Sequence, residues 1–244
     1  MTLLSTPPFA PNTLRALQAL GIQQLADLQK LGAVHTFLLL KAAGHTFTRS
    51  ILWQLHAACL QTDVRQLTAT DKAALLTALQ AHPPVTIFPP MANMMAFMQH
   101  ALAQAQQAAA LGEIPVGAVV VYQNQIIAAA HNACVAMCDV SQHAEIRALA
   151  QAGAVLGNYR LTECDVYITL EPCMMCAGAL LQARVKRVIF GAAEPKMGAA
   201  GSVLNVFAQR CFNSHTAIQG GILANECQAV LQQFFQQNRQ RISC

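Results

Sequence analysis

The sequence predicts a layered α/β domain preceded by a small all-helical one. Three observations carry that prediction. After residue 90, strand-like and helix-like stretches alternate, the pattern of a sheet covered by helices. Before residue 83, apolar residues recur at helical spacing. Between the two lies Pro83-Pro84-Val85-Thr86-Ile87-Phe88-Pro89-Pro90. Proline fixes φ, removes a backbone donor and drives its predecessor out of the helical region, so this stretch reads as extended. A chain of 244 residues has room for two domains and a sizeable core.

The elements follow in order. Leu14, Leu17, Leu20 and Ile22, then Leu25 and Leu28, recur at near-helical spacing, and Gly21 and Gly32 stop the helices at two short turns. Residues 51–59 and 73–79 read as further helices. Beyond the prolines, residues 91–111 form a helix with Met95, Met98, Leu102 and Ala105 on one face and Gly112 as its stop. Residues 116–122 and 126–130 are strands around a Gln123-Asn124 turn. A helix over 142–151 precedes strands at 165–170 and 188–191, which flank a helix over 173–183. An amphipathic helix over 226–239 carries Leu231, Phe234 and Phe235.

Composition narrows the class. Hydrophobic residues make up 55% and charged residues 11%, against about 25% charged in an average soluble protein. A disordered chain lacks that much apolar surface to bury. The charge-free stretch 82–112 is broken by four prolines and studded with Gln99, Gln104, Gln106 and Gln107. No other stretch offers the ~20 apolar residues that span a bilayer. The start MTLLSTPPFAP has no basic region ahead of an apolar one, so a cytoplasmic protein with no membrane partner is expected. Net charge is +4: residues 1–90 hold six Lys/Arg and three Asp/Glu, residues 91–244 nine and eight. That balance permits a nucleic-acid partner without requiring one. Nine cysteines without a secretory signal point to metal binding or catalysis rather than disulfides. Cys134/Cys138 and Cys173/Cys176 are close pairs; Cys59, Cys164, Cys211, Cys227 and Cys244 stand alone as buried or idle thiols.

One constellation carries chemistry. His143 and Glu145 stand in Gln142-His143-Ala144-Glu145, and 28 positions after His143 comes Glu171-Pro172-Cys173-Met174-Met175-Cys176. Cys173 and Cys176, three apart at a helix start, face the same way, and the helix dipole favours them as thiolates. His143 with these two makes three ligands for Zn²⁺ and leaves the fourth position open for water, as catalytic zinc sites do. Two thiolates balance the zinc charge, so the ionised water forms a compact nucleophile. Glu145 is too close in sequence to His143 to ligate easily, and is placed to carry the proton of that water to a substrate.

At these residues the sequence resembles the zinc-dependent nucleobase deaminases, whose signature is H-x-E followed by P-C-x-x-C. The likeness extends to the bacterial tRNA adenosine deaminases over roughly residues 94–241. It runs through Glu113-Ile114-Pro115-Val116-Gly117-Ala118, Asn158-Tyr159-Arg160-Leu161, Thr169 to Ala179, Gly198-Ala199-Ala200-Gly201-Ser202, and Gly221-Ile222-Leu223 to Phe234-Phe235. The resemblance implies a cytidine-deaminase-like three-layer α/β/α sandwich with a mixed sheet, a homodimer, and a tRNA partner. It also implies conversion of the wobble adenosine of an arginine tRNA (ACG anticodon) to inosine, by zinc-activated hydroxide attack on C6 with release of ammonia. Glu145 then serves as the proton carrier, Asn132 matches the asparagine set against the purine, Phe235 and Arg239 fall where the family's last helix meets the anticodon loop, and Glu194 falls at a loop position that bears on contact with the flanking ribose.

Three positions depart from the pattern. Glu194 stands where the family carries Asp, Gln142 replaces a small residue, and the run Gln236-Gln237-Asn238-Arg239 is poor in arginine. Residues 1–82 resemble the C-terminal domain of TfoX-type competence regulators through Leu20-Gly21-Ile22, Ala26-Asp27-Leu28 and Leu31-Gly32-Ala33-Val34. Their glycine turns suggest backbone amides presented to nucleic-acid phosphates, beside the plainer reading of a packing module. The expected organisation is a helical domain at 1–82, a proline-rich linker at 83–93 and the deaminase domain at 94–244. Two other functions fit the same signature: a deaminase of free guanine or cytosine, and a zinc-stabilised RNA-binding protein without turnover. The Ala-Gly-Ala after Cys176 and the Phe234-Phe235 pair favour the RNA enzyme over the first, and Glu145 argues against the second.

Overall fold

The computed structural model describes residues 2–82, 85–209, 211–213 and 216–242, the side chains of 238–242 excepted. The chain divides into two compact units, Met1–Ile87 and Phe88–Cys244. Pro83, Pro84 and the Arg239 side chain lie outside the described residues. Among the described residues no helix is long and apolar enough to cross a membrane.

Among its described residues the first unit is built of helices and carries one antiparallel bridge, between Leu3 and Gln24. Its helices are α1 (Pro11–Ala19), α2 (Leu25–Leu31), α3 (Ala33–Ala42), α4 (Arg49–Leu60) and α5 (Ala69–Ala81), with a 3-10 turn at Val64–Gln66. Proline opens α1, where its missing donor is harmless. The turns after α1 and α2 use Gly21 at φ 77° and Gly32 at φ 79°, a backbone that side chains with a Cβ rarely adopt. Phe9, Leu17, Ile22, Leu28, Phe37, Leu40, Leu52 and Leu55 form the core. The α3 helix, which the spacing of leucines does not single out, supplies Phe37 and Leu40.

The second unit runs α6 (Met91–Ala110), β1 (Gly117–Tyr122), β2 (Gln125–His131), α7 (Cys134–Met137), α8 (Ala144–Leu156), β3 (Asp165–Leu170), α9 (Met174–Gln182), β4 (Arg187–Ala192), β5 (Ala217–Gln219) and α10 (Ala224–Ile242). The sheet order is β2-β1-β3-β4-β5. Both neighbours of β1 are antiparallel to it, whereas β3-β4 and β4-β5 are parallel, so the sheet is mixed. The β1–β2 turn places Gln123 at φ 48° and Asn124 at φ 63°, the two left-handed residues of the hairpin turn that matches strand twist.

Along β1, side chains alternate between two buried faces. Ala118 and Val120 pack with Ala144, Ala148, Ala177 and Leu180 of α8 and α9. Val119 and Val121 pack with Met94, Met98 and Ala101 of α6 and with Cys227 of α10. This is the three-layer α/β/α sandwich with a mixed sheet that the family resemblance implies. The buried face of α6 differs from the expected one. Met94, Met98, Ala101, Ala105 and Ala108 face the sheet, while Met95 is 38% exposed. The alanines decide the phase because α6 lies against Gly117, where a Cβ would sit 2.0 Å from the Ala101 oxygen. The helix begins at Met91, as its spacing predicts, and Phe88 packs on the core of this unit.

Candidate active site

The side chains of the H-x-E and P-C-x-x-C runs meet beyond the C-terminal end of β3. His143 is the extended N-cap residue of α8, and the next amide, Ala144 N–H, donates to Asn132 Oδ1 at 2.8 Å. Asn132, just after β2, thus pins the start of α8 against the sheet. Cys173 is the N-cap residue of α9, with Cys176 in the first turn. His143 Nδ1 lies 3.4 Å from Cys176 Sγ and 3.8 Å from Cys173 Sγ. The three ligand atoms fall within 4.8 Å of one another, and no fourth His, Cys, Asp or Glu joins them among the described residues. Tetrahedral zinc, with Zn–S near 2.3 Å and Zn–N near 2.0 Å, separates its ligand atoms by about 3.6 Å. The donor set and its spacing therefore fit a zinc ion with an open position.

Electrostatics agree. The Cys173 thiol is pushed down to about 4, chiefly by the hydrogen bond from Cys176 and, against the effect of burial, by His143. Cys176 is the donor of that pair and is pushed the other way. His143 is raised by its contact with Cys173. One ligand is therefore held as a thiolate, the form that binds metal.

Glu145 is 3% exposed, and its Oε2 has no hydrogen-bond partner among the described residues. Burial raises its pKa. It lines a cavity of about 460 Å³ together with His143, Cys173 and Asn132, and with Ile114, Val135, Met197, Leu231 and Phe235 as apolar wall. Because Asn132 Oδ1 is committed to α8, its amide nitrogen is the group left to donate to a ligand. The two phenylalanines of α10 separate: Phe234 is buried at 9% exposure, and Phe235, 44% exposed, lines the cavity. Glu194 also lines it, with Oε1 accepting from Lys196 N–H at 2.9 Å. Arg239 falls in the last turns of α10, its side chain outside the described residues. Cys134 lines the cavity and Cys138 is exposed; neither joins the His143 group.

Two carboxylates that the sequence reading left without a role shape this cavity. Glu113, 2% exposed, accepts from Val135 N–H at 3.1 Å and Ala136 N–H at 2.7 Å, and so fixes α7 as part of the wall. Glu171, also 2% exposed, accepts from Glu194 N–H at 3.0 Å, Ala200 N–H at 2.9 Å, Ser202 N–H at 3.0 Å and the Ser202 hydroxyl. Burial raises the Glu171 pKa, but these hydrogen bonds outweigh it and hold the group below the usual carboxylate range. The segment 194–202 is thereby tied to the residue two before Cys173. Gly198 is required there, since a Cβ would lie 2.5 Å from the Glu171 carboxyl carbon. The available signal was an acid inside an apolar run, Thr169-Leu170-Glu171-Pro172, in a chain with few charges.

Comparison with known proteins agrees with this geometry. Residues 92–239 match the family described as MafB19-like deaminase, and residues 3–79 match the TfoX C-terminal domain. A tRNA-specific adenosine deaminase of Bacillus subtilis is 39% identical over 145 residues, which cover 59% of this chain and 90% of that protein. One of Haemophilus influenzae is 45% identical over 144 residues, covering 59% of this chain and 83% of that protein. A solved chain from studies of A-to-I editing by tRNA:A34 deaminases at the wobble position of transfer RNA is 38% identical. Its TM-score is 0.54, over 56% of this chain and 99% of that one.

Proposed function

The chain belongs to the MafB19-like deaminase family and is a relative of the tRNA-specific adenosine deaminases, and we propose that it deaminates the wobble adenosine of an arginine tRNA with an ACG anticodon. The observation that carries this reading is Glu145: a buried carboxylate with an unpartnered oxygen, beside three zinc-type ligands, on the wall of a cavity. An unpartnered buried acceptor costs about 1–3 kcal/mol, a cost that a reacting group explains.

The residues then divide the work. His143, Cys173 and Cys176 hold zinc, which supplies Lewis-acid activation of the hydrolytic water. Glu145 accepts a proton from the attacking water and delivers it to adenine N1 as the new C–O bond forms at C6. It next carries the remaining hydroxyl proton to the amino group, so the C6–N bond breaks, ammonia departs and C6 keeps a carbonyl. Its raised pKa suits a group that must both take and give protons. Asn132 donates its amide to the purine, and Phe235 and Glu194 contact the bases and riboses beside it. Arg239 is assigned to the RNA backbone on the family resemblance.

The division of contacts between Ile87 and Phe88 supports two separate domains, 1–82 and 94–244. A cytoplasmic homodimer is the assembly that the resemblance implies, and exposed Met174 and Met175 in the first turn of α9 offer apolar surface for it. Incubation of the zinc-loaded protein with unmodified arginine tRNA, followed by sequencing for A-to-G readout, tests the activity. Inosine at the wobble position is expected; none under saturating zinc contradicts it.

A further inference from the structure

The first unit takes no part in the chemistry above, yet its charges are arranged in a way that points to a ligand. Up to Ile87 the chain holds six Lys/Arg, three Asp and no Glu. All three carboxylates serve helix starts. Asp27 accepts from the amides of Gln23 and Gln24, Asp63 from that of Arg65, and Asp71 from that of Thr68. Among the described residues no ion pair involves a Lys or Arg of this unit.

The glycine turn at Leu20-Gly21-Ile22, where the sequence suggests a phosphate contact, is closed to one. Gly21 N–H and Ile22 N–H donate to the Gln18 and Leu17 carbonyls, and the next two amides hold the Asp27 carboxylate. A different face is open. A cavity of about 470 Å³ lies between α1 and the loop joining α3 to α4, lined by Asn12, Arg15, Ala16, His45 and Phe47 among others. Its volume falls within the range of small-ligand sites. The Arg15 guanidinium is exposed and held by a hydrogen bond from Nη2 to Asn12 Oδ1. The His45 and Phe47 rings are stacked, 5.5 Å apart with 29° between their planes. Lys41, in the last turn of α3, and Arg49, the first residue of α4, flank the loop.

A fixed cation beside a stacked pair of rings is the arrangement that takes a phosphate and a base together. We propose that this face binds a nucleotide of single-stranded RNA, with the base stacking on His45 and Phe47 and the phosphate at Arg15. The choice of RNA rests on the function proposed above; the site itself rests on the charges and rings of the first unit.

The test uses the full chain and a short labelled oligouridylate, which offers no adenosine to the cavity at Glu145. Arg15→Ala, His45→Ala and Phe47→Leu are compared with the parent by anisotropy over a series of salt concentrations; leucine keeps the partial packing of Phe47 on the core. His45→Ala and Phe47→Leu are expected to weaken binding about fivefold or more, the effect of one lost stacking contact. Arg15→Ala should weaken it and also flatten the salt dependence by about 0.7, the slope of one phosphate contact on a single strand. Parent-like affinity and slope in all three variants overturn the proposal, as does tighter binding of a duplex than of the strand. Inosine formation on tRNA is read separately. A parent that binds through this face but forms no inosine contradicts the deaminase reading and leaves the site standing.

Discussion

Carboxylates accept from backbone amides in both units, but among the described residues only the second unit buries them. In the first, Asp27, Asp63 and Asp71 sit at helix starts and accept from backbone amides, and among the described residues no Lys or Arg of this unit forms an ion pair. In the second, Glu113, Asp165, Glu171 and Glu145 are buried. Asp165 is paired with Arg187 at 2.6 Å, and Glu113 and Glu171 accept from backbone amides of the cavity wall. Glu145 alone of these four keeps an oxygen without a partner among the described residues. Surface carboxylates at helix starts stabilise helices weakly, and three of them against six Lys/Arg leave the first unit net positive. Buried ones sit in a low dielectric, where a satisfied acid fixes geometry strongly and an unsatisfied one is held ready to react.

The largest break of this contrast is expected at the metal. Cys173→Ser should lose zinc and inosine formation, since a hydroxyl is a poor substitute for a thiolate. Amide exchange should rise at the start of α9 and leave the first unit unchanged. Stoichiometric zinc in this variant contradicts the ligand assignment.

A smaller effect is expected at the satisfied acid. Glu171→Gln turns an amide group toward donors that need an acceptor, and should lower the stability of the second unit by about 2 kcal/mol. Gly198→Ala should cost about 1–3 kcal/mol through its clash with the same carboxylate. Both are measured by thermal melting followed within each unit. Melting unchanged in both would mean that Glu171 does not hold the 194–202 segment.

The smallest effect lies in the first unit. Hydrogen bonds from the Thr68 side chain and backbone hold the Asp71 carboxyl below its usual range. Its stabilisation is therefore full above the ordinary carboxylate pKa and is lost as pH falls through its lowered folded value. Asp71→Asn should be less stable than the parent at neutral pH, with the difference shrinking toward zero in strong acid. A difference independent of pH in urea unfolding would contradict the capping role.

These contrasts bear on how much the sequence discloses. The layered α/β class and the Gln123-Asn124 hairpin are legible because alternation and turn chemistry are local. The His143, Glu145, Cys173 and Cys176 spacing is legible because metal chemistry restricts residue types. The phase of α6 is not, since an alanine-rich helix is apolar nearly all round and only the close approach at Gly117 selects a face. The three residues of β5 (Ala217–Gln219) and four of α7 (Cys134–Met137) are too short for periodicity. The parts played by Glu113 and Glu171 depend on amides 22 to 31 residues away in sequence, which only the folded chain brings near.

The central claim is that Glu145 moves protons and does not hold the metal. Its most direct test is Glu145→Ala, with zinc content and inosine formation measured on the same preparation. Zinc should remain stoichiometric and the fold intact, because no coordination bond is assigned to this residue. Deamination should fall by at least the ~10²–10⁴-fold that follows removal of a positioned acid–base group, while binding of an adenosine-containing stem-loop largely survives. Loss of zinc from this variant, or turnover near that of the parent, would contradict the account.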